Sequence, residues 1–173
     1  MAAQPILVVS GPPGAGKTTI AGQLAARCEL SVHLATDFFY AAIRRGFIPP
    51  WKTEAARQNE VAVRAAARAA APFARAGYVT IVDGVVLPWA LAIYREELTR
   101  EGLAVRCAVL LPEVDEVVRR SLGRTEDHGL DEAVYREMHR QFATAFQVET
   151  EPVVRQTASV TETTDAVLAA FAR

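Results

Sequence analysis

The clearest chemical signal lies at positions 11–18, Gly-Pro-Pro-Gly-Ala-Gly-Lys-Thr, which match the spacing G-x-x-x-x-G-K-[ST]. Glycines let the backbone N–H groups of such a loop curve around an anion, because no Cβ stands in the way. Lys17 can reach the β- and γ-phosphates of a nucleotide, and the Thr18 hydroxyl can be a ligand of Mg²⁺. We therefore expect ATP and Mg²⁺ as cofactors. The expected nucleotide-binding residues are Gly11, Gly14, Ala15, Gly16, Lys17, Thr18, Thr19 and Arg124.

Two acidic residues come at the ends of predicted strands, Asp37 after strand 32–36 and Asp83 at the end of strand 78–83. In an open parallel sheet the ligand binds at the carboxyl ends of the strands. There the Asp37 carboxylate can take a proton from a substrate hydroxyl or position Mg²⁺, unless it only satisfies N–H groups of the next helix. We expect Asp83 to contact Mg²⁺ or the substrate, and the alternative is a plain turn residue before a glycine.

Arginines cluster where the predicted helix 113–121 ends. Arg120 and Arg124 lie at and beyond that end, and a polar, glycine-containing stretch, residues 122–130, follows as a short lid. Arginines on a closing loop can neutralise the charge of a transferring phosphoryl group while the loop excludes water. The alternative is that they only interact with the carbonyl end of their helix.

A third group of residues is a candidate acceptor site. Arg44 comes seven residues after Asp37, so in a helix over 37–45 the two side chains share a face. The stretch Gly46-Phe47-Ile48-Pro49-Pro50-Trp51 follows, and its two prolines favour an extended shape. Arg44 and Trp51, with the two acids, are therefore candidate contacts of the acceptor, and an ordinary helix end with an apolar plug is the alternative.

The elements that must position these residues alternate between strand and helix, which predicts an α/β fold with a parallel sheet covered on both faces. The run Ile6-Leu7-Val8-Val9 ahead of the loop reads as a buried strand, and the helix after the loop offers its N-terminus to an anion. The predicted strands are 6–10, 32–36, 78–83, 104–111 and 152–156. The predicted helices are 17–27, 37–45, 53–76, 88–101, 113–121, 131–146 and 163–172.

Composition limits the class of protein. The chain has 173 residues, is 51% hydrophobic and carries a formal net charge of −1, which suits one globular domain over 1–173 and disfavours nucleic acid as a main partner. There is no apolar run long enough to span a bilayer and no signal-peptide pattern, so we expect a cytoplasmic protein with no membrane partner. The two cysteines do not have metal or disulfide spacing.

With these residues in view, the chain resembles the small P-loop kinases, and is similar to gluconate kinase, shikimate kinase and chloramphenicol phosphotransferase in length and order of elements. The resemblance covers most of the chain and implies a P-loop NTPase three-layer sandwich with a five-stranded, mostly parallel sheet and a short lid. It implies that Asp37 activates the acceptor hydroxyl and that Arg124, with Arg120 beside it, is the lid arginine. It also implies adenine contacts near Thr157 and Ser159.

The expected activity is transfer of the γ-phosphoryl group of ATP to a hydroxyl of a small molecule, such as a sugar acid like gluconate or an antibiotic. Lys17, Asp37, Arg120 and Arg124 are the expected catalytic residues, and Thr18 and Asp83 the metal ligands. A nucleoside or nucleotide kinase and a nucleotide-binding resistance or regulatory module without transfer activity remain open. A GTPase is excluded, because the sequence has no Asn-Lys-x-Asp motif to read guanine.

Overall fold

The structure, a computed structural model, describes residues 3–123, 130–147, 151–155 and 159–172. Within these ranges one sheet contains five parallel strands in the spatial order β2-β3-β1-β4-β5. The strands are β1 (Ile6–Ser10), β2 (Ser31–Ala35), β3 (Val79–Gly84), β4 (Val105–Leu110) and β5 (Val153–Val154). The predicted α/β fold with a parallel five-stranded sheet is confirmed.

The strand that precedes the phosphate loop is the central one. β1 pairs with β3 on one side and with β4 on the other, so the direction of winding reverses around it. A crevice forms where neighbouring connections diverge from the carboxyl ends of two strands, and this is where α/β proteins bind their ligands. The loop at 11–18 begins directly after β1 and therefore lies at this crevice.

Helices cover both faces of the sheet within the described ranges. One hydrophobic cluster joins α1 and α7 to the sheet face that carries Val9 and Ile81. A larger cluster joins α3, α4 and α6 to the opposite face, which carries Val8 and Val82. The helices are α1 (Lys17–Ala26), α2 (Asp37–Ala41), α3 (Ala56–Arg75), α4 (Pro88–Arg100), α5 (Val114–Leu122), α6 (Glu132–Ala145) and α7 (Val160–Phe171). The three-layer arrangement is thus confirmed.

Helix α3 fits closely against the sheet because most of its buried residues are alanines. Its outer side is joined to α4 by ion pairs around Glu97, whose side chain is only 6% exposed. The two carboxylate oxygens of Glu97 accept hydrogen bonds from Arg64 at 2.5 Å and from Arg68 at 2.7 Å. These arginines lower the pKa of Glu97, Arg68 having the largest effect, and they outweigh the opposing effect of partial burial.

Four predicted elements differ from the structure by more than one residue at an end. The helix predicted over 53–76 begins as a short 3₁₀-helix, Thr53–Ala55, and α3 follows from Ala56. The helix predicted over 37–45 is wrong in length, because α2 ends at Ala41. The strand predicted over 152–156 is reduced to two residues in the described part, and α7 begins at Val160 rather than 163. Most of the predicted lid, 122–130, lies outside the described residues, together with Arg124 and Thr157. None of the described helices combines the length and apolar character that crossing a membrane requires.

Candidate functional site

The phosphate loop packs tightly between β4 and α5. Gly14 has φ +81°, and a Cβ at this position would lie 2.4 Å from the Ser121 Oγ and 2.5 Å from the carbonyl oxygen of Val117. Any larger residue would therefore push the loop away from α5 and also strain the backbone. Gly16, in the left-handed conformation, is the N-cap residue of α1. The sequence thus places the positive end of a helix dipole at the loop, as an anion site requires.

Lys17, the first residue of α1, reaches back over this loop. Its Nζ donates a hydrogen bond to the carbonyl oxygen of Pro12 at 2.9 Å. The ammonium group is thereby held against the phosphate loop. The predicted contact of Lys17 with the β- and γ-phosphates of a nucleotide stays a prediction.

The acid of β3 is linked to the phosphate loop by a side-chain hydrogen bond. The Thr18 Oγ1 donates to the Asp83 Oδ2 at 2.7 Å, although the two residues are 65 positions apart in sequence. The structure thus brings together the two predicted metal ligands. Because the sheet is parallel, Asp83 is not a hairpin residue, and only 3% of it is exposed.

A histidine completes the surroundings of this carboxylate. The Nε2 atom of His33, a residue of β2, lies 2.8 Å from the Oδ1 atom of Asp83. Burial opposes ionisation of Asp83, but the hydrogen bonds from His33 and Thr18, with the charges of His33 and Lys17, outweigh it and lower the pKa of Asp83. Asp83 is therefore an ionised carboxylate in a largely buried position.

The oxygen atoms of Thr18 and Asp83 suit a hard cation such as Mg²⁺, which usually takes one or two protein oxygens together with substrate phosphates and water. Within the described residues there is no cluster of three or more His, Cys, Asp or Glu side chains that could hold a metal ion. The pair fits the role of Mg²⁺ ligands beside a bound nucleotide, which is the role the sequence predicts for it.

Asp37 lies at the same edge of the sheet as Asp83. The N–H of Thr36 donates to the backbone oxygen of Asp83 at 2.8 Å, and a Cβ on Gly84 would lie 1.9 Å from the Thr36 Oγ1. Only glycine therefore permits this contact, which fixes the chain one residue before Asp37. Thr36 is the N-cap of α2 without a side-chain capping bond, and the exposed Asp37 carboxylate makes no hydrogen bond or ion pair with another described residue.

Arg120 of α5 lies beside the loop. Its Nη1 is 3.9 Å from the point where a Cβ on Gly16 would lie, and its Nε donates to the Glu116 Oε1 at 2.7 Å. Its side chain is 35% exposed. The guanidinium is therefore close to the phosphate loop, and the predicted role of Arg120 in catalysis stays a prediction. The paired prediction for Arg124 falls outside the described residues.

The structure does not support the predicted shared face of Arg44 and Asp37, because α2 ends before Arg44, which is exposed in irregular chain. Trp51, 44% exposed, lies in a turn closed by a hydrogen bond from the Lys52 N–H to the Pro49 carbonyl.

We name residues 42–52 the connecting segment. Two side chains of α3 hold this segment by hydrogen bonds. The Gln58 amide accepts from the Ile48 N–H at 2.8 Å and donates to the Ile48 carbonyl at 2.6 Å. Asn59 donates to the Pro50 carbonyl at 2.7 Å.

No role was predicted for His33 from the sequence. The pairing register supplies the signal that was overlooked. His33 pairs with Ile81 and Ala35 pairs with Asp83, so the side chains of His33 and Asp83 project from the same face of neighbouring strands. Once β2 and β3 are adjacent, a histidine two residues before the end of β2 is within reach of Asp83.

Comparison with known proteins agrees with this geometry. The model of the family described as "AAA domain" matches residues 6–148. A curated relative, the adenylate kinase of Gemmatimonas aurantiaca, is 38% identical over 131 residues, which cover 69% of this chain and 59% of the relative. The chain thus spans about three-fifths of the length of that relative.

Solved structures of small kinases have the same fold. A sugar kinase from Janibacter sp. HTCC2649 is 23% identical, with a TM-score of 0.68 and coverage of 96% of this chain and 94% of the other. The APS kinase CysC of Mycobacterium tuberculosis, in complex with AMPPNP and APS, is 14% identical, with a TM-score of 0.71 and full coverage of both chains. The chain therefore belongs to the AAA domain family, and its fold is that of the small P-loop kinases.

Proposed function

We propose that this protein is an ATP-dependent kinase that transfers the γ-phosphoryl group to a hydroxyl of a small molecule, such as a sugar acid or an antibiotic. One observation carries the proposal. The phosphate loop with Lys17, the Thr18–Asp83 pair and the exposed carboxylate of Asp37 all lie at one edge of the sheet. The fold shared with a sugar kinase supports the same reaction class.

In this proposal, the loop amides and Lys17 bind the β- and γ-phosphates, and Thr18 and Asp83 hold Mg²⁺. When bound, Mg²⁺ supplies charge neutralisation at the phosphate oxygens. Asp37 orients the acceptor hydroxyl and takes its proton as the oxygen attacks the γ-phosphorus. Arg120 stabilises the charge that spreads over the transferring group, and Arg124 is proposed to assist it.

The test is a screen of ATP consumption against sugars, sugar acids, amino-sugar antibiotics and nucleosides, with ³¹P NMR of the products. We expect one class to stimulate ADP formation and to yield a phosphate monoester in equal amount. The Lys17→Ala variant controls for contaminating kinases, since it should lose the activity. Release of inorganic phosphate alone, with every compound unmodified, would contradict the proposal.

A nucleotide acceptor is the second candidate, and the 38% identical adenylate kinase favours it. The two candidates differ in their need for a base. A nucleotide phosphate already carries an ionised oxygen near neutral pH, because its second pKa is about 6. Incubation with ATP and AMP distinguishes them: two ADP per ATP consumed, at equal rates in wild type and Asp37→Asn, would favour the nucleotide acceptor over the hydroxyl.

A further inference from the structure

We propose that His33 is a positioning residue for Asp83, which it holds in the orientation that serves the Mg²⁺ of a bound nucleotide. This inference rests on the nucleotide-binding part of the proposed function. It assigns a role to a side chain of β2 that lies outside the phosphate loop and its motif.

The contact geometry supports this role. The Asp83 Oδ1 lies 2.8 Å from the His33 Nε2, and the Asp83 Oδ2 accepts from the Thr18 Oγ1 at 2.7 Å. The two partners come from different elements, β2 and α1, on either side of the carboxylate. A rotation of the carboxylate about its Cβ–Cγ bond would break both hydrogen bonds together. The histidine thus adds a second hydrogen bond that opposes this rotation.

The proton of this contact belongs to His33. A carboxylate that holds Mg²⁺ is ionised and can only accept hydrogen bonds. The His33 Nε2 must therefore carry the hydrogen, which fixes the imidazole as a donor toward the carboxylate. Such outer-shell hydrogen bonds to metal ligands commonly change metal affinity or activity by about 10–100-fold when removed.

The exposure of the two side chains indicates which one depends on the contact. The His33 side chain is 24% exposed and has access to water, whereas that of Asp83 is only 4% exposed. A buried carboxylate without donors is costly, and an apolar residue at position 33 would suit a strand whose neighbours Val32, Leu34 and Ala35 are all apolar. The presence of a histidine at position 33 is thus explained by its hydrogen bond to Asp83.

The experiment compares His33→Gln with His33→Asn. The glutamine amide nitrogen can occupy nearly the same place as the imidazole Nε2, whereas the asparagine amide is too short to reach it. Ser31→Ala is the control, because Ser31 lies on the same strand and loses one hydrogen bond, to the Ala25 carbonyl at 2.9 Å. Calorimetry measures ATP binding to each protein with Mg²⁺ and with EDTA, and steady-state kinetics measures the Mg²⁺ concentration for half-maximal rate.

We expect His33→Asn to weaken Mg·ATP binding, and to raise the half-saturating Mg²⁺ concentration, by about 10-fold. Metal-free ATP binding should be unchanged, and His33→Gln and Ser31→Ala should stay close to wild type. The inference is overturned if His33→Asn binds Mg·ATP normally, if it loses metal-free and metal-bound ATP equally, or if His33→Gln is as weak as His33→Asn. If His33→Asn does not fold, His33→Ala, which also lacks a donor at the place of the imidazole Nε2, replaces it against His33→Gln in the same measurements.

The binding measurements need no acceptor, so they separate this inference from the proposed function. Normal metal dependence in wild type with an unsuccessful acceptor screen would count against the kinase proposal only. Wild type that binds no ATP under either condition would refute both.

Discussion

The two halves of the candidate site differ in how firmly the fold holds them. On the phosphate side, loop residues 11–17, Asp83 and His33 are buried or half-buried. Hydrogen bonds join Asp83 to His33 and to the exposed Thr18, which are distant in sequence. On the acceptor side, Asp37 and Arg44 are exposed, as are Phe38, at 72%, and Trp51, at 44%. The connecting segment is held mainly through its backbone.

This difference indicates which half of the candidate site the fold holds in a fixed arrangement. Tight packing and paired charges give a phosphate site that needs little rearrangement, which favours binding of a ligand common to many kinases. Exposed side chains on a short helix and a loop leave the proposed acceptor site adjustable, as is common for segments that determine specificity. The predictions below test whether the two halves are separable in this way.

The largest effect is expected at Asp37. Asp37→Asn removes the proposed base but leaves the phosphate loop intact, so transfer to a hydroxyl should fall by about 10²–10⁴-fold while ATP affinity stays the same. Single-turnover transfer and calorimetry measure the two quantities. Glu54→Gln changes another exposed acid, in the short 3₁₀-helix Thr53–Ala55 after the connecting segment. It is the control and should behave as wild type. A variant at the wild-type rate would remove Asp37 from catalysis.

Arg120 tests whether the phosphate side also acts in the transition state. Arg120→Ala should lower kcat by about 10²–10³-fold with a smaller change in KM, because the arginine interacts most strongly with charge that develops during transfer. Arg119→Ala is a matched control, since that side chain is 71% exposed and also pairs with Glu116. Equal losses in both variants would mean that the Glu116 pairing, rather than phosphate contact, matters. Arg124→Ala should also lower kcat if the second arginine takes part.

Lys17 should affect binding more than any residue of the acceptor side. Lys17→Ala is expected to weaken Mg·ATP binding or transfer by at least about 10-fold, since the loop loses its positive charge toward the β- and γ-phosphates. Calorimetry with Mg·ATP measures the binding, and acceptor affinity should change little. If affinity and turnover are both unchanged, the loop is not the nucleotide site.

The sequence predicted some parts of the candidate site better than others. The phosphate loop was predictable residue by residue, because its chemistry constrains adjacent positions, and the strand ends located Asp37 and Asp83. The link between His33 and Asp83 needed the knowledge that β2 is next to β3, and no local pattern supplies strand order. The length of α2 was overestimated, because helical spacing cannot reveal that Gln58 and Asn59 hold the following residues in a non-helical path.

The smallest effect concerns stability, away from both halves. Glu97→Gln should lower the melting temperature by a few degrees at neutral pH, because the pairing with Arg68 and Arg64 lowers the pKa of Glu97 in the folded state. That contribution is present above the ordinary value of 4.5 and is lost as the pH falls through the lower folded value. The difference between wild type and variant in thermal melts should therefore shrink in acid, and nucleotide affinity should not change.

A control for this measurement is Glu101→Gln, which removes an exposed ion pair with Arg75 on the same helix pair. Exposed pairs contribute little, so its melting temperature should stay near that of wild type at every pH. A difference between Glu97→Gln and wild type that grows toward acid would contradict the assigned direction of the pKa shift.

The hydrogen bonds from Gln58 and Asn59 to the connecting segment influence which of its residues can change during evolution. Both side chains bond to main-chain atoms of Ile48 and Pro50, which every substitution of a neighbouring side chain leaves in place. Exposed side chains such as Phe47 and Trp51 can therefore be exchanged at little cost to folding, while the path of the backbone is kept. If the proposed acceptor site is correct, these positions are the natural targets for a library aimed at altered selectivity.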